Sequence, residues 1–252
     1  MLFSIENKTA LVTGGSRGIG KMIATGFVEG GAKVYIAARK HAASLETAEE
    51  LSKLGECIAL EADLSTEAGC RALADEIASR EQRLDILVNN AGATWGTPLD
   101  DFDEAAWERV LSVNVKGVFH LTKFLLALLR MAGTAEDPAR VINIGSIDGL
   151  RAPRMETYSY SASKAAVHML TRHLAGKLAP EITVNAIAPG PFESKMMAET
   201  LANFGDAIAA SAPLRRIGRP DDMAGTAIFL ASRAGSYLTG TVIPVDGGIS
   251  TL

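Results

Sequence analysis

The sequence predicts an α/β fold, a single doubly wound (Rossmann-type) layer whose seven-stranded parallel sheet carries helices on both faces. Two observations lead there. Seven short β-branched runs (TALVTG, AKVYIAA, CIALEAD, LDILVNN, RVINIGS, ITVNAIAP and TVIPVDGG) alternate with longer segments whose apolar residues recur every three to four positions, as in IGKMIATGFVEGG and DMAGTAIFLAS. Strands alternating with helices build parallel βαβ units, and near-continuous apolar strands belong to a sheet covered on both faces. No Pro/Ser-rich linker, repeat or low-complexity tract interrupts the chain, so residues 1–252 read as one domain.

Composition narrows the class. Of 252 residues, 48% are apolar and 21% charged, which suits a globular chain rather than a disordered one. The formal net charge of −4 gives no long-range pull toward nucleic acid or an anionic membrane. The N-terminus runs directly into an apolar strand pattern without the features of an export signal, and the densest apolar run, FLLALL, is too short to span a bilayer. A cytoplasmic location is the resulting expectation. Cys57 and Cys70 lack metal-ligand spacing and read as core or helix-face thiols; His41, His120, His168 and His173 form no constellation, so no metal site is expected.

The first strand ends in TGGSRGIG, residues 13–20, and a helix pattern follows at once. Gly14, Gly18 and Gly20 permit a tight turn in which backbone N–H groups approach a pyrophosphate at a helix N-terminus. Their spacing differs from GxGxxG. The second strand closes YIAARK, with Ala38 where an acid would bind the ribose 2′-hydroxyl of NAD and Arg39 beside it. Arg17 in the glycine turn adds a second cation for a 2′-phosphate, so the pattern predicts NADP(H). The third strand ends at Asp63 in EADLS, a residue equally suited to capping the next helix. NNAG closes the fourth, NVKG sits in the following helix, and IGS closes the fifth.

TYSYSASKAAVHML then begins a helix. Tyr160 and Lys164, four apart, share a face, whereas Tyr158 lies about 240° round the axis from Lys164. Between the sixth and seventh strands, Pro189 to about Gly218 is longer than an ordinary connection and carries Met, Leu and Phe, which predicts a substrate lid over residues 191–217. It starts at the carboxyl end of a strand, where open α/β sheets bind ligands.

In this order and spacing, TGGSRGIG, NNAG, Asn114 of NVKG, Ser146, Tyr160-SASK and the PG of IAPGP resemble the short-chain dehydrogenase/reductase family over almost the whole chain. The resemblance implies an NADP-dependent oxidoreductase with Asn114, Ser146, Tyr160 and Lys164 as its catalytic residues. Tyr160 would be the general acid, its pKa lowered by the Lys164 ammonium, which would also hold the nicotinamide ribose. Ser146 would polarise the substrate oxygen, and Asn114 would complete a proton relay through a water near Lys164. Taken singly, Ser146 also fits a turn or N-cap and Asn114 a helix interior. The implied cofactor contacts are Gly14, Ser16, Arg17, Gly18, Ile19, Gly20, Arg39, Asp63, Leu64, Asn90, Ala91, Gly92, Tyr160, Lys164, Pro189, Gly190, Phe192 and Ser194, with Asn89 also on the adenosine side. Ser194 stands where the family more often has threonine.

Within the family the chain looks most like NADPH-dependent 3-oxoacyl reductases of the rhamnolipid-pathway type, through LDILVNNAG, PARVINIGS and TGTVIPVDGG. That implies reduction of a 3-oxoacyl thioester, with an acyl carrier protein as a candidate partner. A reductase of another ketone, sugar or polyol is the alternative, and a non-catalytic NADP-binding protein a remote one. Enoyl reductases space their tyrosine and lysine more widely. Ser146, Trp95, Leu150, Met155 and Met196, with Met197, Leu201 and Phe204, are expected to form a largely apolar substrate wall. Tyr158 is assigned to packing or that wall. Arg151, Arg154, Arg215 and Arg216 are candidates for steering an acidic carrier, and the HLTKFLLALL stripe with VIPVDGG for pairing subunits into a dimer or tetramer.

Overall fold

Strand parity divides the apolar residues between two faces of one sheet. In a computed structural model that describes residues 1–153, 155–195 and 197–251, β1 (Thr9–Thr13) sends Ala10 and Val12 to one face and Leu11 to the other. The same alternation runs through β2 (Lys33–Ala38), β3 (Cys57–Glu61), β4 (Ile86–Asn89), β5 (Ala139–Ile144) and β6 (Ile182–Pro189). With β7 (Val242–Val245) they form a seven-stranded sheet in the order β3-β2-β1-β4-β5-β6-β7, every pairing parallel.

Helices cover both faces as the chain runs from β1 out to one sheet edge at β3, then crosses back to β4 and runs to the other edge at β7. α1 (Gly18–Glu29), α2 (His41–Leu51) and α8 (Pro220–Ala231) bury Ile23, Phe27, Leu51, Met223 and Leu230 on one side. α3 (Glu67–Arg80), α5 (Val118–Ala132) and α6 (Tyr158–Leu178) bury Leu73, Ile77, Leu121, Leu125, Leu129 and Leu178 on the other. α4 (Glu104–Leu111) joins α5 through a wider π-helical turn, Ser112–Gly117. The predicted lid contains α7 (Ala198–Ser211), which has no buried residue among those described.

Two expectations need adjustment. NVKG lies in the π turn rather than in regular α-helix; a Cβ on Gly117 would stand 2.5 Å from the Leu64 carbonyl oxygen, so that backbone sits against the exit of β3. The span Glu104–Ala132, 29 residues, is long and apolar enough by length and composition to cross a membrane, which FLLALL alone did not indicate. In this fold its Val110, Leu121, Leu125 and Leu129 are fully buried within the protein. Cys57 and Cys70 are free and buried, as expected, and burial pushes both thiols up to about 11.

The chain order reverses between β1, which leads to β2 and β3, and β4, which restarts the sheet on the other side. Such a switch point opens a crevice beyond the carboxyl ends of the strands.

Candidate active site

The crevice begins with a clamp between β1 and β4. Thr13 Oγ1 donates to the Val88 carbonyl at 3.1 Å and accepts from the Asn90 and Ala91 N–H groups at 2.9 and 3.0 Å. Asn90 Nδ2 donates to the Thr13 carbonyl at 2.8 Å. These bonds hold NNAG against the glycine turn. Thr13 was missed in the sequence because a threonine ending a strand carries no signal of its own.

The turn is closed to side chains at its glycines. Gly14 and Gly18 adopt positive φ, +66° and +53°, and a Cβ on Gly20 would fall 2.3 Å from the Gly14 carbonyl oxygen. A Cβ on Gly18 would stand 3.1 Å from Ser194 Cβ, so the glycine turn faces the start of the predicted lid. Arg17, at the N-cap of α1, and Arg39, just beyond β2, are both exposed, the arrangement a 2′-phosphate needs. Ser16, Ile19, Pro189 and Gly190 line the same end of the sheet, with Gly190 N–H donating to the Val245 carbonyl at 2.9 Å. This cradle fits a dinucleotide.

Two assigned contacts, Phe192 and Asn89, change, and Asp63 takes on a second duty. Asp63 Oδ1 accepts from Ser65 N–H and Oγ at 3.0 and 2.7 Å, which lowers its pKa, so it shapes the entry to α3 and has its second oxygen left for a ligand; Arg39 lies close enough to contribute. Phe192 is buried in the core with its ring where a Cβ on Gly218 would be, so only its backbone can meet a cofactor. Asn89 points inward, donating to Thr122 Oγ1 at 3.1 Å and Asn143 Oδ1 at 2.9 Å, because strand parity turns it away from the crevice that Asn90 faces. Leu64 is also buried.

The structure brings the four candidate catalytic residues together. Ser146, two residues beyond β5, is itself an N-cap: its Oγ accepts from Asp148 N–H at 3.1 Å at the head of a 3-10 turn, Ile147–Gly149. Its hydroxyl also lies close enough to the Tyr160 phenol to favour the phenolate. Lys164, one turn along α6, is buried with its Nζ donating to the Ile144 carbonyl at 2.8 Å and lying 5.5 Å from the Tyr160 ring centroid. Burial works against the expected lowering of the phenol by the ammonium in this arrangement. Burial pushes Tyr160 up to about 12 and Lys164 down to about 8, since each charged form loses more solvation than its neighbours return.

Asn114 reaches the site from the π turn. Its Nδ2 donates to the Ala93 carbonyl at 3.0 Å and Ser163 Oγ at 2.9 Å, while Oδ1 accepts from Ala93 N–H at 2.8 Å. Ser163 Oγ donates to the Tyr160 carbonyl at 2.6 Å, so the Asn114 side chain ties the β4 exit to α6 and is occupied in doing so. A Cβ on Gly92 would stand 3.3 Å from Asn114 Oδ1 and 3.8 Å from Lys164 Nζ, which places both beside one small gap.

Around this centre, Trp95, Leu150, Met155 and Phe204 are exposed, an open apolar rim rather than a closed wall. The Arg109 guanidinium lies 4.7 Å from the Trp95 ring centroid. Met196 and Arg154 lie outside the described residues. Tyr158 packs edge-on against Phe102, centroids 5.3 Å apart, as its packing assignment anticipates. Of the steering arginines, Arg216 is paired bidentately with Asp222 at 2.5 and 2.9 Å, and Arg215 donates to the Ala210 carbonyl. Both serve the lid's own fold, which leaves Arg151 as the described candidate.

Comparison with known proteins agrees with this geometry. A family model described as enoyl-(acyl carrier protein) reductase matches residues 14–250. The rhamnolipids biosynthesis 3-oxoacyl-[acyl-carrier-protein] reductase of Pseudomonas aeruginosa is 52% identical over 250 residues, 98% of this chain and 97% of that one. The solved Pseudomonas aeruginosa RhlG/NADP active-site complex superposes with a TM-score of 0.95 at 51% identity, covering 99% of this chain and 98% of its own. Galactitol 2-dehydrogenase of Rhizobium johnstonii is 36% identical over 256 residues, 98% of this chain and 97% of that one.

Proposed function

Because the chain belongs to the short-chain dehydrogenase/reductase family, we propose that it is an NADPH-dependent reductase converting a 3-oxoacyl thioester to the 3-hydroxyacyl thioester. When bound, NADPH supplies the hydride. Tyr160 Oη gives the proton that the substrate oxygen needs as carbon is reduced, and Ser146 Oγ orients and polarises that oxygen. A phenol at about 12 is protonated at neutral pH and is still far more acidic than an alcohol, so it is competent as the donor. Lys164 holds the ribose edge and Asn114 fixes the loop beneath it. The single observation supporting this reading is the convergence of Ser146, Tyr160 and, one helical turn on, buried Lys164 at the mouth of a glycine cradle.

Tyr160→Phe tests it. The variant is expected to lose most NADPH-dependent turnover of an acetoacetyl thioester while binding NADPH nearly as wild type; full activity would overturn the assignment and favour a binding role. The four-residue Tyr160–Lys164 interval supports ketone over enoyl reduction. The identity to galactitol 2-dehydrogenase supports a polyol or sugar as the second reading, which a substrate panel with both substrate types separates.

The remaining assignments follow from the same frame. Residues 191–217 act as the lid, and the chain works as one catalytic domain in the cytoplasm. Exposed Phe119 on α5 and Met169 on α6 support subunit pairing across those helices into a homodimer or homotetramer, which sizing in solution tests.

A further inference from the structure

Tyr160, Lys164 and His168 stand four residues apart along α6, so their side chains form one stripe on the helix. Tyr160 lies beside Ser146, and Lys164 Nζ donates at 2.8 Å to the carbonyl of Ile144, two residues before that serine. His168, the third member, has no duty in the chemistry described so far. It is 3% exposed, and neither ring nitrogen makes a hydrogen bond among the described residues. A Cβ on Gly145 would stand 2.1 Å from His168 Nε2, 2.7 Å from Cδ2 and 3.3 Å from Cε1. All three nearest atoms belong to the one imidazole, which therefore fills the space that a side chain at 145 would need. Gly145 has no positive φ, so its backbone does not itself require glycine. A Cβ on Gly149 would fall 2.9 Å from His168 Cε1 and 2.7 Å from Ala165 N. The ring is thus wedged against both ends of the Gly145–Gly149 turn, with Ser146 between them. Gly145 N–H donates to the Ile187 carbonyl at 2.7 Å, which holds the same end of the turn to β6. Burial, outweighing the nearby Gly149 backbone, keeps the imidazole neutral.

We propose that His168 is a positioning residue for Ser146: its imidazole, fitted against Gly145 and Gly149, sets where the Ser146 hydroxyl stands relative to Tyr160 and the substrate oxygen. Lys164 and His168 grip the chain at Ile144, Gly145 and Gly149, on both sides of the serine. They do so from the helix that carries the phenol, so hydroxyl and phenol share one frame. Two donors serve one substrate oxygen only when both reach it at about 2.7–3.1 Å. A misplacement of about 1 Å can lower turnover about 100-fold. The role rests on Ser146 being the group that polarises the substrate oxygen.

Turnover of an acetoacetyl thioester with NADPH, and NADPH binding by fluorescence, are measured for His168→Ala, Gly145→Ala and the pair, each with and without Ser146→Ala. Gly145→Ala drives a methyl into the imidazole, and His168→Ala removes the wedge. Each is expected to lower kcat roughly 10- to 100-fold with NADPH affinity unchanged. The pair, in which the methyl enters vacated space, is expected to turn over faster than Gly145→Ala alone. In the Ser146→Ala background neither change is expected to cost anything further, because both act through the hydroxyl already removed. Additive losses in that background, or wild-type kcat in both single variants, overturn the proposal. A loss of NADPH affinity that matches the loss of kcat also overturns it, since that marks a general loosening of the fold. Should His168→Ala fail to fold, Gly145→Ala compared with and without Ser146→Ala decides by the same rule. Full turnover by Ser146→Ala instead removes the serine's own role, and the assignment of His168 falls with it.

Discussion

Lys164 is a cation held where its charge is disfavoured. It is 5% exposed, and burial brings its ammonium down to about 8 from the ordinary lysine value of 10.5. The folded pKa lies below the unfolded one, so below about pH 8 the folded chain carries the full penalty of a buried charge. That penalty is relieved as pH rises from about 8 toward 10.5. Lys164→Met is therefore expected to abolish turnover yet stabilise the cofactor-free protein at pH 7 by about 1–3 kcal/mol, less whatever the unbonded Ile144 carbonyl loses. Thermal melts at pH 7 and pH 10 check it, the gain shrinking at the higher pH. Arg39 is a separate case. Exposed beyond β2, it has no structural duty among the described contacts, so Arg39→Asp is expected to shift the kcat/KM ratio from NADPH toward NADH by tenfold or more without altering stability. An unchanged preference would remove it from the cofactor site.

Elements are positioned by their ends. α8 begins at Pro220 with Asp222 accepting from Arg219 N–H at 2.7 Å while pairing with Arg216, so one carboxylate caps the helix and anchors the return of the lid. Arg216 holds its carboxyl down at about 2. A depressed acid contributes stability that is present above the unfolded value near 3.8 and is lost as pH falls through about 2. Asp222→Ala is expected to cost about 0.5–2 kcal/mol at pH 7 and to lose that difference from wild type in melts near pH 2. Much of this level was legible beforehand. The seven strands announced themselves as β-branched runs because parallel strands are buried on both faces, and the glycine turn did so because only glycine fits there. Pitch and side-chain direction were less legible. The π turn at Ser112–Gly117 depends on packing against Leu64, which no local spacing encodes. Phe192, expected at the cofactor, has its ring buried where a Cβ on Gly218 would be, a long-range fit that the local sequence does not encode.

On the scale of the whole molecule, the parallel sheet separates two cores that share strands but no side-chain contacts of their own faces. Leu230 of α8 and Leu125 of α5 are each fully buried, one on each side. Either Leu→Ala change removes apolar contacts and leaves a cavity, a loss of about 2–5 kcal/mol. With no shared partners the two losses should add within about 0.5 kcal/mol in the double variant. Both should appear in one denaturant transition, because stripping helices from either face exposes the same seven strands and leaves the other face without its support. Urea unfolding followed by fluorescence and by circular dichroism checks this. Coincident curves with additive midpoint shifts are the expected result. Separate transitions, with Leu125→Ala moving only one of them, would mean that the α3–α5–α6 layer can leave the sheet while the cofactor side stays folded. The approach of Ser146, just beyond β5, to Tyr160 of that layer would then be lost before the glycine cradle.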